Sequence, residues 1–188
     1  MKPLFRQRLI LKALPVILLL LATFSGTASA QYSEYQIKGG WLVSFAKYVT
    51  WPDKVFDSDD EPIIIGILGD DPFGEDLDNI VRNRKANGRP IIIRRNNDIR
   101  ELKGAHIIFF SNSNELTISE VFKDYNSRKG ILTIGDGISN FCELGGIINF
   151  RKDRPTTFDL NLEAAIDARL IIHSKLLQLA KKFVHYDN

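Results

Sequence analysis

An α/β fold in three layers is expected, with a largely parallel sheet, flanking helices and a C-terminal antiparallel hairpin. Three observations in the sequence lead there. From Pro62 onward short apolar runs alternate with amphipathic stretches, the rhythm of β-α-β units. The runs are continuously apolar, which suits strands covered on both faces. The rhythm then breaks near Arg151, where two β-type segments flank a charged turn.

The first thirty residues read as a leader rather than as part of the fold. Lys2, Arg6, Arg8 and Lys12 make a basic start, Ala13 to Phe24 is apolar, and Thr27-Ala28-Ser29-Ala30 offers a cleavage site before Gln31. The apolar run falls short of the roughly 20 residues that span a bilayer, so an uncleaved anchor is the lesser alternative. Two domain-level segments result: a signal peptide over 1–30, cleaved after Ala30, and one α/β domain over 31–188. All four charged residues of the leader are basic, so 25 minus 4 leaves 21 Lys and Arg against 23 Asp and Glu. The mature chain is slightly acidic, and the composition gives no support to a nucleic-acid surface. Its length suffices for one domain that buries about 70% of its unfolded surface without disulfides. Cys142 is the only cysteine, which excludes an internal disulfide.

The elements run in order from the amino end. Glu34 to Pro52, "EYQIKGGWLVSFAKYVTWP", reads as a helix whose Trp41, Leu42, Phe45, Ala46, Tyr48 and Val49 fall within half the circumference. Gly39 and Gly40 lie on the other side, where they would let a second element approach. Two readings stand together: a helix buried on two sides, or one whose aromatic arc partly meets a partner. For the second, Trp41 and Phe45 are expected in the core, with Tyr48 and Trp51 nearer the surface as the candidate partner surface. Asp53 to Pro62 is a charged connection. Strands are expected at Ile63 to Leu68, Pro90 to Arg95, His106 to Phe110 and Gly130 to Gly135, helices at Phe73 to Asn83 and Asn114 to Tyr125, and a helical turn near Asp98 to Lys103. "GIINF" and "TTFDLN" form the hairpin around Arg151 to Pro155. One long helix then closes the chain, with Asn161 as N-cap and Ala165, Ile166, Leu170, Leu176, Leu177, Ala180 and Val184 on its apolar side.

Catalytic signals are weak. "GDDPFG", Gly69 to Gly74, has the spacing of a phosphate loop but no following Lys-Ser/Thr, and its two aspartates would repel phosphate. Asp71 as helix cap with Pro72 in the first turn explains it better. The acidic strand exit also suggests a phospho-acceptor domain, yet the third strand leaves through Phe110-Ser111-Asn112-Ser113 and lacks the acceptor aspartate. His106, His173 and His185 have no metal-ligand spacing. No catalytic, cofactor or metal residues are assigned, and an enzyme is not expected. A ligand pocket without chemistry is the remaining site, at the carboxyl ends of the strands, where Asp70, Asp71, Ser111, Ser113 and Asp136 would gather.

The opening helix ending in Trp51-Pro52, the Gly-Asp-x-x-Phe exit at Gly69 to Phe73, "NGRPIIIRR", "HIIFFSNS", "ILTIGDGISNFCELGGIINF" and the Ser-Lys-Leu-Leu-x-Leu-Ala segment from Ser174 together resemble the YfiR-like family of exported bacterial proteins, from about Glu34 to Phe183. Gly39-Gly40 stands where that family leads one to expect Ala-Ala, and its cysteine pair is reduced to Cys142. The resemblance implies a non-enzymatic periplasmic protein that binds the periplasmic region of an inner-membrane signalling protein, a diguanylate cyclase in the best-understood members, and represses it. An outer-membrane lipoprotein that relieves the repression is a further implied partner, and a homodimer is left open. The alternative function is a periplasmic small-ligand-binding sensor.

Overall fold

The computed structural model describes residues 32–111, 118–119, 121–122 and 129–184. Ser33–Asn188 is one compact unit and holds the sheet and its helices. The expected leader lies outside the described residues, as do Ser113 and His185.

Helix α1, Glu34–Tyr48, starts from a capping box in which Ser33 accepts from the Gln36 N–H and the Gln36 side chain accepts from the Ser33 N–H. The strands β1 (Val49–Thr50), β2 (Ile63–Leu68), β3 (Lys85–Ala86), β4 (Arg89–Asn96), β5 (Ile107–Phe110), β6 (Leu132–Asp136), β7 (Ile148–Phe150), β8 (Phe158–Asn161), β9 (Ile171–Ile172) and β10 (Phe183–Val184) come after it. Interleaved with them are α2 (Glu75–Val81), α3 (Leu162–Asp167) and α4 (Ser174–Leu177). Eight strands form one sheet in the order β10-β8-β7-β6-β5-β2-β4-β3, parallel except where β3 meets β4 and β7 meets β8. The mixed α/β class, the largely parallel sheet and the antiparallel β7–β8 hairpin are as the sequence led one to expect.

Because successive strand residues face opposite sides, β2 supplies both cores. Ile63, Ile65 and Ile67 pack with Leu42, Phe45 and Leu77 on one face, while Ile64 and Leu68 pack with Leu102, Phe110 and Phe141 on the other. Ile118 and Phe122, both helical and buried, belong to that second layer. They belong to the described part, residues 118–119 and 121–122, of the helix expected over Asn114 to Tyr125.

The closing helix is not continuous. Asn161 does cap α3, accepting from the Ala164 N–H at 2.9 Å, but α3 ends at Asp167. The Leu170 N–H donates to Ala165 O at 2.9 Å and the Arg169 N–H to Ile166 O at 2.8 Å, with Arg169 at φ 58°. This pair of bonds is a Schellman stop. It turns Leu170 into the core and frees Ile171–Ile172 to pair antiparallel with Val49–Thr50. Ile166, expected on the buried side, is 62% exposed.

Candidate functional site

Parallel register sets the exits of β2, β5 and β6 side by side, since Leu68 pairs with Phe110 and Phe110 with Gly135. Asp70, Ser111 and Asp136 therefore stand together at the carboxyl end of the central strands. The backbones there are close: a Cβ on Gly69, whose φ is 96°, would lie 2.6 Å from Ser111 O. Only glycine fits that exit.

Two of the carboxylates there, Asp71 and Asp136, already have partners. Asp71 Oδ1 accepts from the Phe73 N–H at 2.8 Å, and Oδ2 takes Arg95 Nε at 2.6 Å. Arg95 also bonds Asp78 and Gly74 O, pinning the start of α2 to β4. Asp71 thus shapes the strand exit instead of capping the helix, which begins later, at Glu75, with Gly74 in the N-cap position. The expected helix start fails because Asp71 closes a local turn over Pro72. Asp70 is exposed, and Ser111 is buried.

Asp136 is held by α1. Lys38 Nζ donates to Asp136 Oδ1 at 2.6 Å and also to Glu34, while the Tyr35 hydroxyl donates to Asp136 Oδ2 at 3.0 Å. Lys38 is 3% exposed, and its ammonium lies 4.8 Å from the Tyr35 ring centre and 5.3 Å from that of Phe150. Burial, then the Asp136 charge and hydrogen bond, push the Tyr35 phenol up to about 12. Removing one partner from such a buried pair costs about 3 to 5 kcal/mol, because the other charge is left uncompensated. Lys38 is absent from the residues expected at the site, although the sequence carries a signal for it. At about 100° per residue it falls in the middle of the apolar arc of α1, where a lysine must find an anion.

The arc itself is buried over a shifted sector. Lys38, Gly39, Leu42, Phe45 and Ala46 are buried, whereas Ile37 is 39% exposed and Trp41 and Tyr48 are half-buried. Gly39 meets α2 as expected, with an added Cβ 2.8 Å from Ile80 Cδ1, but Gly40 has nothing within 4 Å. Trp41 packs on Phe45 and Phe158 and donates its indole N–H to Thr156 O at 3.0 Å. Trp51, expected near the surface, is 8% exposed. The helix has ended by then, and strand alternation turns Val49 in, Thr50 out and Trp51 in.

Tyr48 lies beside the segment that the helix break exposes. Its carbonyl accepts from the His173 N–H at 2.9 Å, the two rings are 5.9 Å apart, and Lys47 and Lys175 approach the Tyr48 ring at 5.6 and 6.0 Å. Ile171, on β9, is 67% exposed. The result is a small apolar and aromatic face with a basic rim. Ile171, His173 and Lys175 were invisible as members of it, because a continuous helix would have placed them otherwise.

The remaining reactive groups are muted. Burial pushes the Cys142 thiol up to about 12, so it is not a nucleophile at neutral pH. His106 is buried, accepts at Nδ1 from the Ile64 N–H at 3.0 Å and stacks on Phe56 at 4.4 Å. Among the described residues no group of three or more His, Cys, Asp or Glu side chains is placed to hold a metal ion. A protein-family model described as YfiR/HmsC-like matches residues 35–181. No curated protein matches the chain.

Proposed function

Because the chain belongs to the YfiR/HmsC-like family, we propose that it is a non-enzymatic periplasmic regulator, exported with cleavage after Ala30, that binds the periplasmic region of an inner-membrane signalling protein and represses it. A diguanylate cyclase is the partner of choice, with an outer-membrane lipoprotein as the relieving partner. The family match over nearly all of the described domain carries this reading. The geometry supports it in two ways. Two of the acids at the strand exits are engaged, Asp71 in a turn and an ion pair with Arg95 and Asp136 in an ion pair with Lys38. The face of Tyr48, Ile171 and His173 offers an exposed apolar centre with lysines at its rim, the anatomy of a modest protein interface.

Calorimetric titration of the purified protein into the isolated periplasmic regions of its host's inner-membrane cyclases tests the proposal. Saturable binding to one of them, weakened about tenfold or more by Tyr48→Ala or Ile171→Ser, is expected of an interface aromatic and its apolar neighbour. Absence of binding to every such region would contradict the cyclase assignment.

A further inference from the structure

A cavity of about 320 Å³ opens at the amino ends of β2 and β4, the end of these strands opposite to Asp70 and Asp136. Val49, Trp51, Phe56, Ile63 and Arg89 form its walls. The volume is at the lower end of small-molecule sites and suits a body of about one ring.

Two side chains in these walls, Trp51 and Arg89, carry N–H groups without acceptors. The Trp51 indole N–H is buried and is without a hydrogen-bond partner among the described residues. That nitrogen has almost no solvent-accessible surface, so Trp51 lines the cavity with its ring and not with this N–H. The Arg89 side chain is only 15% exposed, lies with Cζ 3.8 Å from the Phe56 ring centre, and spends Nη1 on the carbonyls of Ser58 and Glu61. Its nearest carboxylate, Asp59, is 4.0 Å away on a fully exposed side chain. Nε and Nη2 make no hydrogen bond among the described residues. A guanidinium so far withdrawn from water wants an anion, and its planar fork matches a carboxylate.

We propose that this cavity binds a small carboxylate with an apolar body, the carboxylate toward Arg89 and the body against Val49, Phe56, Trp51 and Ile63. Asp53 and Asp59, which also line the cavity and are exposed, favour a single negative charge over a dianion such as a phosphate ester. Val49 and Thr50 border the cavity and pair with β9, so an occupant would touch the ribbon that carries Ile171. The site stands independently of the identity of any protein partner.

Benzoate serves as the probe and benzamide, which keeps the ring and loses the charge, as its control. The purified, isotope-labelled protein is titrated with each while the two tryptophan indole N–H resonances are followed by NMR. Benzoate is expected to shift the Trp51 resonance saturably and leave Trp41 in place, with benzamide binding at least about tenfold more weakly for want of the charge-assisted bonds. Arg89→Lys, which keeps a cation but loses the fork, should weaken benzoate while preserving the fold. Failure of benzoate to move Trp51 saturably at millimolar concentration, or equal binding of benzamide, overturns the proposal without recourse to any variant.

Discussion

Phe45 and Tyr48 stand one turn apart on α1 and serve different ends. Phe45 is fully buried against Phe150 and Phe158, and Trp51 is nearly so beside Phe56. Truncating either to alanine should leave a cavity and cost about 3 to 5 kcal/mol by urea denaturation. Half-buried Tyr48 should tolerate alanine at below about 1 kcal/mol, as surface positions do. Equal losses at all three positions would remove Tyr48 from the interface. His106 makes a second residue-level prediction. Burial lowers its pKa below the ordinary 6.5, so the folded chain binds its proton later than the unfolded chain does. The stability associated with neutral His106 is full above pH 6.5 and is lost progressively as pH falls from there through the depressed folded value. His106→Asn keeps an acceptor for the Ile64 N–H and removes this titration. Its unfolding free energy should therefore fall less steeply than wild type over that window, and identical slopes would contradict the assignment.

Elements were legible to different degrees, for physical reasons. The parallel strands announced themselves because Ile63 to Leu68 and Ile107 to Phe110 are buried on both faces, which leaves an unbroken apolar run. The β3–β4 hairpin was equally legible in Asn87-Gly88, both at positive φ, though it is not among the expected elements. The site residues at the strand exits followed from the parallel register, but their ion-pair partners, Arg95 and Lys38, come from elements far away in sequence. The break after α3 left no mark, because its left-handed residue is an arginine where glycine is the usual signal. That gives a test with opposite signs. Arg169→Gly should stabilise the protein by up to about 1 kcal/mol if the residue sits in a Schellman stop, whereas in a continuous helix the same change would cost about 1 kcal/mol. Thermal or urea unfolding of the single variant reads the sign directly.

At the scale of the molecule, α1 joins the two ends of the domain. Its first turns hold Asp136 at the strand exits through Lys38 and Tyr35, and its last residue presents Tyr48 beside β9. A regulator that binds through the Tyr48 face needs that helix locked in place, which the buried Lys38–Asp136 pair provides. Repression of a membrane cyclase through this face is tested most directly by the cellular level of cyclic-di-GMP. It should rise when the protein is deleted, return to normal on complementation with the wild type, and stay high with Tyr48→Ala combined with Ile171→Ser, provided that the variant accumulates to wild-type amounts. A level unchanged by deletion, or one fully restored by the double variant, would contradict the account.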